Sequence, residues 1–529
     1  MKRKFTGGLL CVLAALLWLP AAVHANRLFT DGAVLQQGMP VPIFGTADEA
    51  DPVTVTLGGQ TVRTVAQNGQ WRVNLAPLKA GGPFTLTIAG PRNTITVRDV
   101  LVGEVWVCGG QSNMELTLSR TRTGPAAIKS AADPLLHILT VARAASETPL
   151  SDFTGQWQAA SPETVREFSA VGYFFGRDLR RALGVPVGLI QSCFGGTSAE
   201  YWVSRPALQA DPALRGLLKD LSSALKRYPQ ALADYQARLP VLEQQYQTAL
   251  QTYTQALALA KQNGTKPPAP PKPPVPPGSA GNDPKVATHL YNGMIAPLIP
   301  YGIRGVIWYQ GENNVGKPAQ YADLFPTLIA DWRGHWGEGN FPFLFVQLAP
   351  YLPAGAEPAE SHWAQLREAQ HITSITVPNT AMAVITDVGE RGSIHPSRKE
   401  PVGDRLAQAA FGLVYKRPVE PIGPMYQSLS VQGRQAVLHF THLGGGLVAD
   451  PAGPLTGFTI AGADRHYVAA DAVIVGDTVV SSPQAPQPAA VRFGWADFPV
   501  VNLWGRAGLP TSPFGTDPFP PSAASAPRP

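Results

Sequence analysis

The sequence predicts an α/β protein, a doubly wound parallel sheet flanked by N-terminal and C-terminal β-sandwich-like modules and interrupted by a helical hairpin. Three observations predict it. Residues 100–107 form a nearly continuous apolar run, expected where a parallel strand is covered on both faces. From there to about residue 417 further apolar runs (185–190, 305–309, 343–348, 381–386) alternate with helical stretches, each run ending in a polar or glycine-containing loop. On both sides of that region the pattern changes to period-two alternation broken by glycine turns, as in Val53-Thr54-Val55-Thr56-Leu57, Gly58-Gly59, Thr61-Val62-Arg63-Thr64-Val65.

The chain has 529 residues, which suits two to four domains. Hydrophobic residues make up 44% and charged residues 15%, excluding a charged disordered chain. Glycine and proline number 52 each, an excess that favours turns and short strands over an all-helical protein.

In chain order, Lys2-Arg3-Lys4 precede an apolar run from Phe5 to Val23, and Val23-His24-Ala25 places small residues at −3 and −1. Residues 1–25 therefore read as a secretory signal peptide cleaved after Ala25, and the protein as secreted or periplasmic. Removal of the leader leaves 39 basic against 37 acidic residues, so the net charge of +5 falls to +2 and no nucleic-acid partner is implied. No other apolar stretch is long enough to span a membrane. Residues 26–98 read as the N-terminal β module and 99–417 as the catalytic α/β domain. The insertion at about 206–287 reads as a helical hairpin, with Pro229 and Pro240 breaking it and Asn263-Gly264 closing it, followed by a proline-rich linker at 266–277. Residues 418–514 form the C-terminal β module and 515–529 a disordered tail. Cys108 and Cys193 are the two cysteines after the leader. One bridge or two buried thiols both fit, and a disulfide-built scaffold is excluded.

The chemistry gathers at the loops after the apolar strands. Gly110-Gln111-Ser112-Asn113-Met114 follows the first strand, and a serine on such a strand-to-helix turn is exposed with backbone N–H groups beside it. Among the histidines His395 is distinctive: Gly392-Ser393-Ile394-His395-Pro396 lies in the loop after 381–386, and chain order puts the base late, as α/β hydrolases allow. Gly195-Gly196 follows another strand and offers oxyanion donors. Trp308-Tyr309-Gln310-Gly311-Glu312-Asn313-Asn314 follows the next, with the Asn314 amide as a neutral donor. No cluster has zinc-ligand spacing, so no metal or other cofactor is expected.

Ser112, Gly195-Gly196, Asn314 and His395 occur in the order of the SGNH hydrolase blocks. Residues 105–114, 308–314, Ile394-His395-Pro396 and Val402-Gly403-Asp404-Arg405-Leu406-Ala407 resemble the sialate O-acetylesterase family. So do Phe29-Thr30-Asp31-Gly32-Ala33-Val34-Leu35-Gln36 and Gly508-Leu509-Pro510-Thr511-Ser512-Pro513-Phe514, and the likeness covers most of the chain apart from the helical insertion. The resemblance implies an SGNH-like sheet and a serine esterase that removes O-acetyl groups from sugars, typically sialic acid, through an acetyl-enzyme. Ser112 is then the nucleophile, His395 the base, and the Ser112, Gly195 or Gly196 N–H groups with Asn314 the oxyanion donors. Many SGNH enzymes place an aspartate three residues before the histidine, where this chain has Gly392. The orienting group is then Asp387 or Glu390, with Asp387 preferred at its strand end, or a backbone carbonyl near Ser393 in a Ser-His dyad. Acetylxylan is the alternative substrate, a non-catalytic carbohydrate-binding protein the alternative class. Gln310, Tyr309 and Trp202 are the candidates for sugar contact.

Overall fold

The structure, a computed structural model, describes residues 22–263, 265, 268–274, 282–352, 360–481 and 487–519. Its organising element is one strand, β1 (Thr94–Gly110). The first half of β1 pairs antiparallel with Gly81–Ala89 in the N-terminal module, and its second half pairs parallel on both sides in the central sheet. The expected boundary at 98/99 therefore falls inside a continuous strand. The apolar run that flagged β1 is buried from Val100 to Gly110. Its one charged member, Glu104, is 1% exposed and satisfied by Arg304 (2.7 and 3.1 Å), the Tyr415 hydroxyl (2.8 Å) and the Gln37 amide (2.7 Å).

The other central strands are β2 (Asp133–Thr140), β3 (Trp157–Ala160), β4 (Val187–Cys193), β5 (Gly305–Tyr309), β6 (Phe343–Val346) and β7 (Thr380–Ala383). Their spatial order is β3-β2-β4-β1-β5-β6-β7. All pairings are parallel except the edge pair β3–β2. The chain leaves β1 on one side for β2 and β4, then crosses to the other side for β5, so the strand order reverses at β1. Helices Ala170–Leu183 and Glu400–Leu413 pack together on one face, Pro318–Trp336 and His362–Thr376 on the other. Among the described residues, no helix is long and apolar enough to cross a membrane.

The N-terminal module closes with a three-stranded sheet in which His24–Ala25 pairs with Gly45 and Thr46. Cleavage after Ala25 would remove that short strand, and Val23, 1% exposed, is held by Asn93. Residues 1–21, most of the expected leader, lie outside the described residues. The C-terminal module encloses Leu438, Ile460, Val479, Phe493 and Phe514 between two four-stranded sheets.

Two expectations need correction. The insertion is not a hairpin but one helix, Leu217–Gln262, whose 46 residues span about 69 Å. Pro229 and Pro240 lie inside it and both are exposed, so water takes over the carbonyls that their missing N–H groups leave unpaired. A stripe of half-buried Tyr228, Leu232, Tyr235, Leu239, Leu242, Tyr246, Leu250, Tyr253 and Leu257 keeps helical spacing through both prolines. Of the proline-rich linker, residues 268–274 are described and take no regular element. The tail begins later than expected. Phe514–Gly515 pairs with Phe493 and Arg492, Gly515 N–H donates to Glu368, and Asp517 meets Arg465, Arg492 and the Tyr467 hydroxyl. Residues 520–529 lie outside the described residues. Cys108 and Cys193 are free and buried, which resolves the cysteine alternatives in favour of thiols, and burial pushes both far above the ordinary thiol range.

The C-terminal module is tied to the central domain by Arg367, which is fully buried. Its guanidinium donates to four backbone carbonyls, Leu348 (2.9 Å) and Ala349 (3.4 Å) on one side, Ala496 (2.7 Å) and Asp497 (2.8 Å) on the other. Burial pulls it down to about 9. Arg367→Met leaves these carbonyls unpaired, and should cost about 3 kcal/mol or more, read as a Tm drop of roughly 6–12 °C by differential scanning calorimetry.

Candidate active site

Four loops meet at the carboxyl ends of β1, β4, β5 and β7, outside the position where the strand order reverses, the usual place for a ligand crevice in an open α/β sheet. Gly110 makes the first loop possible. Its φ is +134°, and a Cβ there would lie 2.2 Å from the Tyr309 carbonyl oxygen, so only glycine turns the strand into the short helix Ser112–Glu115. Gln111 stitches this turn to the next loop: its N–H donates to Tyr309 O (3.0 Å), and its Oε1 accepts from the N–H groups of Gly311 (3.4 Å) and Asn313 (3.3 Å).

Ser112 and His395 come together from residues 283 apart in the chain, with Ser112 Oγ 2.8 Å from His395 Nε2. Both are half-buried. Among the described residues His395 Nδ1 makes no hydrogen bond. Ser393 bonds the backbone of His395, its Oγ accepting from the N–H (3.1 Å) and donating to the carbonyl (3.0 Å). Burial, with the cations of Lys399 and Arg120, holds the imidazole below its ordinary pKa of 6.5.

Neither expected carboxylate reaches the ring. The Asp387 carboxylate is exposed and taken by Arg405 in a two-pronged pair at 2.6 and 2.9 Å. Glu390 accepts from the N–H (2.8 Å) and hydroxyl (2.7 Å) of Ser397, which closes the histidine loop on itself.

The expected oxyanion donors are partly engaged. Gly195 lies against Ser112: a Cβ on it would come within 3.1 Å of Ser112 Cβ and 2.9 Å of Glu115 Oε2. Its N–H donates to that Glu115 oxygen at 2.9 Å, and Arg143 holds the carboxylate from the other side while stacking 4.4 Å over the Phe194 ring. Gly196, at φ +72°, has open space where a side chain would stand. Asn314 is spent on structure. Its Oδ1 accepts from Ala199 N–H (3.0 Å) and Gln310 Nε2 (2.6 Å), and its Nδ2 donates to Glu200 (2.9 Å). The three candidates for sugar contact are core residues. Gln310, Tyr309 and Trp202 are fully buried, Trp202 packed edge-on against Trp308 with its Nε1 on Thr197. Aromatic residues after a strand looked available for a sugar, but here they fill the space under the loops.

Sequence reasoning missed the layer beneath Ser112 and His395. Asn113 donates from Nδ2 to Ile394 O (2.9 Å) and Glu312 Oε1 (2.5 Å), and its Oδ1 accepts from Lys399 Nζ (2.5 Å). Asn113 and Glu312 stood inside motifs already singled out. Lys399 gave no signal, because burial of one lysine cannot be read from its neighbours in sequence.

Comparison with known proteins identifies the family. A profile described as "Carbohydrate esterase, sialic acid-specific acetylesterase" matches residues 279–412. The sialate O-acetylesterase of Rattus norvegicus is 31% identical over 435 residues, covering 75% of this chain and 74% of the rat protein. The human sialate O-acetylesterase is 29% identical, over 75% of this chain and 72% of its own. A crystal structure described as a novel carbohydrate acetylesterase from Xanthomonas citri shares 35% identity at a TM-score of 0.77, covering 94% of this chain and all of that one. The protein is a carboxylic ester hydrolase on a mixed α/β scaffold with added β modules. It belongs to the sialate O-acetylesterase family.

Two outcomes follow from the geometry. Asp387→Asn should keep turnover within about twofold of wild type, since its partner is Arg405 and not the imidazole; a large loss of kcat in steady-state assays would contradict this. With His395 as the base, the working form is the neutral imidazole, so activity should disappear as pH falls through its pKa. Because that pKa is depressed, the acid limb of kcat/KM should lie below pH 6.5 in a pH–rate profile.

Proposed function

We propose that the protein removes acetyl groups from hydroxyls of sugars by an SGNH-type serine mechanism, and that its substrates are O-acetylated sialic acids. The observation carrying the chemistry is the 2.8 Å contact of Ser112 Oγ with His395 Nε2 at the crevice of the parallel sheet. Ser112 Oγ attacks the acetyl carbonyl carbon while His395 Nε2 takes its proton. The tetrahedral intermediate collapses, the sugar oxygen leaves with the proton from His395, and the acetyl group stays on Ser112. Water, deprotonated by the same imidazole, then attacks the acetyl carbonyl, and acetate leaves as Ser112 recovers its proton. With no hydrogen bond to Nδ1 among the described residues, the pair works as a dyad. Ser112 N–H opens a helix, where amides have no intrahelical partner, and with Gly196 N–H it supplies the oxyanion donors. Gly195 N–H joins them when Glu115 withdraws toward Arg143. The expected leader at 1–25 supports export of the protein.

Arg120 supports the acidic sugar. It is exposed, close enough to His395 to depress its basicity, and among the described residues no carboxylate pairs with it. A sialic acid carboxylate matches that free guanidinium, whereas acetylated xylan carries no charge on its backbone sugars. The proteins it resembles in rat and human bear the name sialate O-acetylesterase.

The test is acetate release from an O-acetylated sialic acid, acetyl-xylan and an aryl acetate. Ser112→Ala should lower turnover of all three by at least about a thousandfold. Arg120→Gln should raise KM for the sialic acid about tenfold and leave the aryl acetate unchanged. Equal activity of Ser112→Ala and wild type would overturn the mechanism; faster turnover of acetyl-xylan than of the sialic acid would overturn the substrate.

A further inference from the structure

Under the Ser112–His395 pair lie two charged groups that the reaction does not touch. Lys399 is fully buried at the N-terminal cap of helix Glu400–Leu413, a position that opposes a cation twice, through burial and through the positive end of the helix dipole. Among the described residues its Nζ makes one hydrogen bond, to Asn113 Oδ1, and it stands 5.0 Å over the Tyr309 ring. Glu312 offers Oε1 to Asn113 Nδ2, while its Oε2 is enclosed and unpartnered. Lys399 and Glu312 form no direct ion pair; the Asn113 amide separates them.

That placement decides which way round the amide sits. A cation on Oδ1 and a carboxylate on Nδ2 polarise it in the same sense, and flipping it would set donor against donor on one side and acceptor against acceptor on the other. The second Nδ2 hydrogen then points at the carbonyl of Ile394, the residue before His395, and Asn113 itself follows Ser112. One side chain thus joins the nucleophile turn to the histidine loop, in a site where, among the described residues, no carboxylate reaches the imidazole.

We infer that Lys399, Asn113 and Glu312 form a buried positioning relay that holds His395 on Ser112, doing from below what an orienting aspartate would do at Nδ1. This rests on the reading of Ser112 and His395 as the reacting pair. All three are positioning residues, since none touches the acetyl group. The relay also keeps a positive charge beside His395, which favours the neutral imidazole required of the base. The charged groups around it are Glu312, Glu390, Arg120 and Arg122, the last placed by its N–H on Ser397 O. Burial brings Lys399 down to about 7 and raises Glu312.

The experiment compares Lys399→Met, Glu312→Gln and the double variant with wild type on an aryl acetate, with Ser112→Ala alongside and folding followed by circular dichroism and Tm. If the relay positions His395, kcat falls about ten- to hundredfold in each variant while KM stays within about threefold. In Lys399→Met the acid limb of kcat/KM also moves to higher pH, because loss of the neighbouring cation raises the imidazole pKa. A purely structural role would lower Tm without moving that limb. If Lys399→Met fails to fold because the buried Glu312 loses its nearby counter-charge, the double variant removes both charges and carries the test. A folded variant with wild-type kcat and acid limb overturns the relay, provided Ser112→Ala is inactive. An active Ser112→Ala would instead overturn the reading of the site.

Discussion

The structure depends on what happens at Gly110. Seventeen residues from Thr94 to Gly110 run as one strand through two sheets, and the chain must then turn sharply without leaving the space between β4 and β5. Tyr309 O occupies the place where a side chain would be, so the turn is bought with a glycine at φ +134°. The approach that forbids a Cβ brings the neighbouring strand end within reach of Gln111, and the Gln111 bonds fix the loop carrying Glu312 relative to Ser112. The strand, the turn and the placement of Ser112 are one constraint, set by backbone contact and by the Gln111 amide.

This explains which parts were legible in the sequence. The parallel sheet was legible because burial on both faces writes a continuous apolar run, and the flanking modules because burial on one face writes an alternating one. Ser112 and His395 were legible because each sits in a loop after such a run. The single helix Leu217–Gln262 was not, since proline stops a helix only where its lost hydrogen bond goes unanswered, and whether water answers it depends on exposure. Asp387 looked like the orienting acid by its position at a strand end, but which cation a carboxylate faces is decided by helix packing, here by Arg405 on the helix behind it. Tyr309 and Trp202 looked like sugar platforms because sequence shows their distance along the chain from Ser112 and not the layer they occupy.

The electrostatics of the pair run opposite to those of a triad. An aspartate on Nδ1 would stabilise the imidazolium that forms when Ser112 gives up its proton. Here the charged groups that bear on His395 are cations, and its basicity is lowered. A neutral imidazole is easy to keep, and an imidazolium is harder to form. The missing stabilisation must come from negative charge present only during reaction. In the proposed mechanism the oxyanion would supply part of it, as it develops on the acetyl group beside Ser112. A substrate carboxylate resting on Arg120 would supply more, by cancelling the cation that opposes His395 and leaving the imidazolium with one fewer positive neighbour. On that argument an acidic sugar would do more than fill the site, since its charge would lower the barrier for the proton transfer that a neutral sugar would leave uphill.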